Sequence, residues 1–219
     1  MTIILKADNI QDADGNNIIN ENSNTITVGA SGDTITIPSG ATLDIVSGAT
    51  FDATGATVTG IDGNKITEVD SFRLSSNQAI SSGTQTTLTP FSRDNESTFS
   101  KIGTGMSESS GIFTMGATGI YLLIANFYMQ RNGDLTYGSL KIQGTTDNGT
   151  YYNMAYNDHS IKQVSGNTYA AVTTHAIFDC QDTSTHKFRL RVYGTHDFNL
   201  LGSASDSHTY ITAIRLGDT

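Results

Sequence analysis

Histidine and cysteine, which often bind zinc or take part in nucleophilic catalysis, are few in this chain, and their spacing suits neither task. The chain has one cysteine, Cys180, so an intrachain disulfide is excluded. Cys180 closes the segment Ile177-Phe178-Asp179-Cys180, a pattern typical of a buried strand. No two of the five histidines form the His-x-His or His-x3-His pair that is typical of zinc sites. They stand at His159, His175, His186, His196 and His208. We therefore predict no metal centre, no cysteine nucleophile and no cofactor.

Paired carboxylates are the remaining route to catalysis. Glycoside hydrolysis requires two acidic side chains that face each other across the scissile bond. The acidic residues considered for such a pair are Asp94, Glu96, Glu108 and Asp134. Their positions in the sequence do not place any two of them together. Polysaccharide depolymerase activity therefore stays an alternative, and a non-catalytic protein is the main prediction.

Recognition of a partner by surface loops is the function that the polar residues favour. The loops at 131–137, 151–159 and 196–208 combine tyrosine, arginine and short polar side chains, which provide contact area with hydrogen-bonding tips. The candidate receptor-binding residues in them are Arg131, Asn132, Asp134, Tyr137, Tyr151, Tyr152, Asp158, His159, His196 and Asp197. The alternative is that these loops are solvated and bind no ligand.

Strands must position these loops, because no stretch of the sequence has a convincing helical period. Turn signals such as Asn148-Gly149 separate the predicted strands. We predict strands at 71–75, 85–91, 98–103, 111–115, 119–130, 138–143, 150–156, 169–179, 186–194 and 208–216. Many short antiparallel strands predict an all-β sandwich or jelly roll. The most apolar run, 120–125, predicts a central strand that is buried on both faces.

A short repeat precedes these strands. Four copies of Ser/Thr-Gly-x-Thr followed by an apolar residue have glycines 8, 8 and 7 residues apart. This period suits one strand and one turn per rung of a β-solenoid or an intertwined β-stalk. One apolar residue per rung is too little core for a single chain, so we predict that three identical chains share an axis. The residues that would line it are Ile35, Leu43, Phe51 and Val58. A disordered linker is the alternative.

The composition divides the chain near residue 70. Residues 1–70 have ten acidic and two basic side chains, whereas residues 71–219 have eleven and ten and contain 17 of the 18 aromatic residues. We predict an N-terminal attachment segment at 1–24, a repetitive β-stalk and neck at 25–70, and a jelly-roll head at 71–219. We expect no basic stripe, and with the net charge of −9 this argues against a nucleic-acid partner.

Two resemblances point to the same symmetry. Gly111-Ile112-Phe113-Thr114 followed by Gly119-Ile120-Tyr121-Leu122-Leu123, with a closing strand at 209–216, resembles the globular heads of complement-type collagens and of the tumour-necrosis-factor superfamily. That resemblance implies a ten-strand jelly roll that forms compact trimers, with Tyr121 on the trimer axis; simple core filling is the alternative for Tyr121. The repeat resembles the Gly-Ala-Thr repeats of tail-fibre and adhesin-like proteins of marine bacteriophages.

These features together predict a structural fibre protein of a bacteriophage virion, most simply a host-receptor-binding tail fibre that acts by multivalent attachment. A capsid decoration or head fibre is the alternative. The expected partners are two further copies of the chain, other virion proteins at residues 1–24, and a host cell-surface glycan or outer-membrane protein. The expected location is the tail or capsid surface of the virion. Synthesis in the host cytoplasm fits the single cysteine.

Overall fold

A computed structural model of the protein describes residues 9–11, 17–22, 25–28, 32, 34–52, 54, 66–95 and 97–219. The chain divides into two units, an N-terminal unit at Met1–Ile61 and a C-terminal unit at Asp62–Thr219. Within the described ranges, every regular element is a β-strand. This agrees with the absence of a helical period in the sequence.

The N-terminal unit contains a small antiparallel sheet of three strands, β1 (Asn9–Gln11), β2 (Asn17–Asn22) and β3 (Thr25–Val28). Ile19 in the middle strand pairs with Ile10 on one side and with Val28 on the other. All three of these aliphatic side chains are exposed. Burial of the row would therefore require a partner outside this sheet.

The repeat continues from this sheet with equivalent turns eight residues apart. The N–H of Ala41 donates to the carbonyl of Pro38 over 3.0 Å, and the N–H of Ala49 donates to the carbonyl of Val46 over 3.0 Å. The glycine before each donor, Gly40 or Gly48, has a positive φ of 83° or 87°, as a turn of this kind requires at its third position. The predicted turn of each rung is present at both positions. The described residues 34–37 and 41–46 between the turns form no strand within the chain.

Thirteen strands build the C-terminal unit. In chain order they are β4 (Val69–Leu74), β5 (Gln78–Ile80), β6 (Thr86–Thr87), β7 (Phe91–Arg93), β8 (Ser107–Ser109), β9 (Ile112–Thr114), β10 (Gly119–Arg131), β11 (Leu135–Thr145), β12 (Tyr152–Ile161), β13 (Thr168–Cys180), β14 (Lys187–Gly194), β15 (Phe198–Leu200) and β16 (Tyr210–Gly217). All of their pairings are antiparallel.

These strands form two sheets. Sheet I has seven strands in the order β5-β15-β10-β16-β4-β7, with β13 on the opposite edge of β10. Sheet II has six strands in the order β12-β11-β14-β9-β8, with β6 also on β14. The all-β jelly-roll class predicted from the sequence is confirmed.

The core of the unit lies between the two sheets and is rich in aromatic residues. Phe113 is fully buried and stacks on Phe188 at a ring-centroid distance of 4.9 Å. The rings of Phe72 and Phe91 meet Phe113 edge-on at 5.7 and 5.1 Å. Phe113 belongs to the Gly-x-Phe-Thr motif, so the motif supplies the centre of the core.

Strand β10 is central, as predicted, but its two faces differ. The side chains at 121, 123, 125, 127 and 129 are buried between the sheets, whereas Ile120, Leu122 and Ile124 on the other face are only half-buried. The prediction that both faces are buried is therefore wrong for a single chain. Alternating side chains point to opposite faces, and sheet II packs against only one of them.

The segment predicted as a strand at 98–103 is a loop. Only Ile102 makes a bridge, with Val69. The loop wraps around two buried carboxylates: Glu68 accepts the N–H groups of Thr104 and Gly105, and Asp70 accepts the N–H of Met106 and the Arg93 guanidinium. The backbone N–H groups at the end of this loop therefore bond to carboxylates and not to a neighbouring strand. The short strands β5, β8 and β15 were not predicted.

Candidate functional site

An open cleft of about 340 Å³ lies at the end of strand β10, where three of the predicted binding residues meet. Arg131 donates from Nε to the carbonyl oxygen of Asp134 over 2.9 Å and from Nη1 to the carbonyl oxygen of Asp197. It thereby joins the loop after β10 to the loop before β15. The residues that line the cleft are Ala79, Ile80, Ser81, Gln130, Arg131, Asn132, Asn167, Asp197, Phe198 and Asn199.

A cross-strand row on sheet I contributes Gln130 and Asn199 to this cleft and continues to Tyr169. Gln130 pairs with Tyr169 on one side and with Asn199 on the other, and its Nε2 donates to the Tyr169 hydroxyl over 3.0 Å. Asp197 is held by the backbone N–H of Ser82, which donates to its Oδ1 over 2.7 Å. Amides beside an exposed tyrosine ring suit a small hydroxylated or amide ligand.

Asp134 has a structural partner close to the cleft. Its carboxylate forms an exposed ion pair with Lys162 and accepts the backbone N–H of Gln163 over 2.8 Å. These hydrogen bonds lower the pKa of Asp134. The residue is therefore ionised at neutral pH and ties the loop after β10 to the end of β12.

The predicted residues on strands β11 and β12 lie in other places. The ring of Tyr137 stacks on Tyr193 at 6.2 Å. Asp158 accepts hydrogen bonds from the hydroxyl groups of Ser139, over 2.5 Å, and Tyr156, over 2.6 Å. These contacts fix the face of sheet II that points away from the core.

Four more predicted residues are dispersed. Tyr151 lies under the Arg189 guanidinium, whereas Tyr152 is 68% exposed and lines an apolar groove between the edges of β12 and β13. His159 is half-buried on β12, and His196 has its Nδ1 at 3.3 Å from the Thr195 hydroxyl. The structure therefore divides the ten candidates among several surfaces, and it brings Arg131, Asn132 and Asp197 together in one cleft.

Tyr121 faces the core of its own chain. It is 2% exposed, and its hydroxyl donates to the carbonyl of Ala117 over 2.8 Å. Burial is the main reason that its pKa is raised to about 12. This is the position expected from the core-filling alternative. A role for Tyr121 on a trimer axis stays a prediction, and the burial of its ring argues against it.

Unlike Tyr121, the apolar residues of the repeat are exposed to solvent in the single chain. Ile35, Leu43 and Phe51 are 61%, 62% and 61% exposed in the single chain, and Val58 lies outside the described residues. Each apolar side chain follows its turn at the same offset. Their role on a shared axis therefore stays a prediction, although a single chain leaves them uncovered.

A surface that sequence reasoning missed crosses the outward face of sheet I. Val69 pairs with Ile214, Ile214 with Leu122, and Leu122 with Ile177, which gives four aliphatic side chains in one line across β4, β16, β10 and β13. We call these four residues the apolar row. Ile177, at its edge, is 57% exposed. The signal was present in the unbroken apolar run 120–125, which has too many apolar residues for a strand with only one covered face.

The residues considered for catalysis have structural partners. Asp94 binds the buried Arg73 at 2.8 Å, and Glu108 accepts the N–H of Gly111 over 2.5 Å; Glu96 lies outside the described residues. The described part of the chain contains no cluster of histidine, cysteine and acidic side chains suited to a metal ion. It also contains no helix long and apolar enough to cross a membrane.

Comparisons with known proteins support the fold. The chain is similar to murine APRIL in its crystal structure at pH 8.0, with a TM-score of 0.50 and 13% identity over 68% of this chain and 98% of that one. It is also similar to Eiger TNF from S. frugiperda, with a TM-score of 0.53 and 14% identity over 71% of this chain and 96% of that one. No protein-family model and no curated protein matches the sequence. The likeness shows that this chain contains a jelly roll of the tumour-necrosis-factor type.

Proposed function

We propose that the protein is a non-catalytic fibre subunit whose C-terminal unit forms a trimeric head. In this proposal the chain belongs to a bacteriophage virion and binds the host surface as a tail fibre. The observation that carries the proposal is the apolar row on the outward face of sheet I.

The apolar row fits a second copy of the same chain. Its four aliphatic side chains lie next to Ser71 and Thr212, whose hydroxyl groups form a hydrogen bond to each other at 3.1 Å. These two neighbours are polar but uncharged. Interface cores are poor in charged residues and rich in side chains of this kind. Burial in a closed ring of copies would remove each apolar row from water without creating an open-ended filament.

The repeat gives independent support for identical partners. Its turns recur with the same hydrogen bond and the same positive φ, and its apolar residues remain exposed in a single chain. Chains wound around a common axis would cover those residues, layer by layer, and could supply partners for the extended segments between turns. A trimeric stalk and a trimeric head would also share one symmetry.

Attachment through such an assembly depends more on the number of binding sites than on the affinity of each site. Three copies of one weak site on a rigid head bind a surface that displays many receptors far more tightly than one copy does. The cleft at Arg131, Asn132 and Asp197 is one such candidate site. No chemical step is required of the protein.

Sedimentation equilibrium of the full chain tests the assembly. We expect a mass three times that of the 23.3 kDa protomer over a wide concentration range. A monomer or a dimer would overturn the proposal. Antibody labelling of purified virions, viewed by electron microscopy, tests the location: label at the tail tip supports receptor binding, and label confined to the capsid surface replaces it with a decoration role.

A further inference from the structure

The outward face of sheet II carries a line of cations. Lys187, Arg189 and Arg191 alternate along β14 with the buried Phe188, Leu190 and Val192, and Lys141 on β11 pairs directly with Arg191. We call Lys141, Lys187, Arg189 and Arg191 the basic face. The expectation that the chain has no basic stripe is therefore wrong. Cations at alternate positions look dispersed in a sequence, but they lie on one side of a strand, about 7 Å apart.

The cations of the basic face are positioned by neutral groups. The Arg189 guanidinium lies 3.9 Å from the centre of the Tyr151 ring, and its Nε donates to Gln143 over 2.9 Å. The Lys141 ammonium lies 5.3 Å from the centre of the Tyr156 ring. A tyrosine ring holds Lys141 in place, and a tyrosine ring and an amide hold Arg189, in both cases without an ion pair.

The remaining two cations bind backbone carbonyls. Arg191 donates from Nη2 to Gln85 over 2.6 Å, and Lys187 donates from Nζ to Thr183 over 2.7 Å. Among the described residues, the ion pairs involve Arg73, Arg93, Lys162 and Arg215, and none involves a member of the basic face. Burial and the neighbouring Arg191 lower the pKa of Arg189, as expected for adjacent cations without an anion.

Carboxylates near the basic face have other partners. Asp182, beside the Thr183 carbonyl that binds Lys187, accepts the N–H and the hydroxyl of Ser184. Asp158 accepts hydrogen bonds from Ser139 and Tyr156. Asp147 accepts the Thr145 hydroxyl and the N–H groups of Gly149 and Thr150. The four cations outnumber these three carboxylates, which is a local excess of positive charge on a chain whose net charge is −9.

We propose that the basic face binds an acidic polysaccharide through its carboxylate groups. A guanidinium binds a carboxylate through two parallel hydrogen bonds. Asn153, which accepts a hydrogen bond from the buried Gln143 over 2.8 Å, is an exposed amide near Arg189 that can bond to a sugar hydroxyl. The inference rests on the proposed function, because it names the class of host-surface molecule that the head recognises.

The charge of the protein favours a polysaccharide over nucleic acid. Double-stranded DNA carries a negative charge about every 1.7 Å, and its binding requires many basic contacts. The net charge of the chain is −9, so the surface around this small basic face would repel a polyanion as dense as DNA. A uronate polymer carries its carboxylates at wider spacing and presents hydroxyl groups between them. The outward face of sheet II is also opposite to the face that the proposed trimer covers.

Binding of the full chain to alginate, a polymer of uronates, tests the inference. We expect saturable binding that weakens at least tenfold when salt is raised from about 50 to about 500 mM, because screening shortens the range of the charges. Dextran, a neutral polymer, should not bind. Binding to alginate and dextran alike, or to neither, would overturn the inference, and so would tighter binding to single-stranded or double-stranded DNA of similar length.

Matched lysine variants locate the site. Lys141→Gln and Lys162→Gln each remove one lysine charge, but only Lys141 belongs to the basic face, and Lys162 is an exposed partner of Asp134. We expect Lys141→Gln to weaken alginate binding about fivefold or more, and the double variant Lys141→Gln/Arg189→Gln about twentyfold, with Lys162→Gln unchanged. Equal effects of Lys141→Gln and Lys162→Gln on alginate binding would contradict the assignment of the site to the basic face.

Sedimentation of the same samples separates this inference from the proposed function. A trimer that does not bind alginate removes the inference and leaves the fibre proposal intact. A monomer that binds alginate, and whose binding is lost only in the basic-face variants, supports the inference and removes the fibre proposal. Retained trimer mass in Lys141→Gln/Arg189→Gln also shows that lost binding does not reflect lost folding.

Discussion

Leu122 on β10 and Ile177 on β13 are directly opposite each other, and both project from the face of sheet I that sheet II does not cover. Ile177 is on the outermost strand of that side and is more than half exposed. Neither side chain of this pair lies in the core between the two sheets. A second copy of the chain would remove this exposed pair from water.

Substitution of Ile177 by lysine tests this relationship. A charge buried within a packed apolar interface costs several kcal/mol, so we expect Ile177→Lys to convert the trimer largely to monomer at micromolar concentration. Sedimentation velocity measures the change. Val164→Lys is the matched control, because Val164 is 89% exposed in a loop and its replacement should leave the mass unchanged. A trimeric Ile177→Lys variant would rule out this face as the interface.

The fold was predictable from the sequence where local pattern decides it. The alternation along β14 and the apolar run of β10 identify both strands, and the glycines of the repeat identify its turns. The loop at 98–103 was not predictable, because what shapes it is a pair of buried carboxylates, Glu68 and Asp70, which lie well before it in the sequence. Short strands such as β15 also depend on partners that only the tertiary fold provides.

The candidate sites were harder to predict than the fold. Arg131 and Asp197 are sixty-six positions apart, and their association in one cleft depends on the antiparallel pairing of β10 with β15. The basic face was missed because its members alternate with apolar residues. Tyr121 shows the opposite difficulty: the motif identifies the residue, but only the structure shows which face of β10 it occupies.

Alkaline pH should reveal the burial of Tyr121. Its pKa is raised to about 12, so between about pH 10 and about pH 12 the unfolded chain loses this proton while the folded chain keeps it. The free energy of unfolding therefore falls across that range, by up to about 3 kcal/mol from this group, and is unaffected below it.

Comparison with Tyr121→Phe isolates this contribution from the other tyrosines. The variant lacks the hydrogen bond to Ala117 and should be less stable by about 1 kcal/mol at pH ~8. At pH ~11 the difference should vanish or reverse, because phenylalanine does not ionise. Urea unfolding at equal protein concentration measures both values. A constant difference at the two pH values would contradict the assignment.

The thiol of Cys180 should be inert in the folded protein. Burial raises its pKa to about 11, so the reactive thiolate is scarce at pH ~8 and the sulfur is also shielded. We expect iodoacetamide to leave the native chain unlabelled and to add one group in denaturant, as read by intact mass. Val164→Cys provides the positive control, because a thiol at that exposed position should be alkylated at once. Rapid native labelling of the unsubstituted chain would show that Cys180 is accessible.

Phe113 should be the most costly aromatic residue to remove from the C-terminal unit. It is fully buried, stacks on Phe188 and receives the edges of Phe72 and Phe91, so its loss leaves a cavity between two rigid sheets. We expect Phe113→Ala to lower the free energy of unfolding by about 3–5 kcal/mol. Phe113→Leu keeps most of the volume and should cost less than half as much.

Tyr152→Ala is the control for that series, because it removes an aromatic ring that is largely exposed and should change stability by no more than about 0.5 kcal/mol. Chemical denaturation of the three variants at one protein concentration gives the order. If Phe113→Ala and Tyr152→Ala cost the same, the stacked rings between sheets I and II do not organise the core. The Gly-x-Phe-Thr motif would then owe its form to its glycine turn, since Gly111 has a positive φ of 81° and lies against the backbone of Leu88.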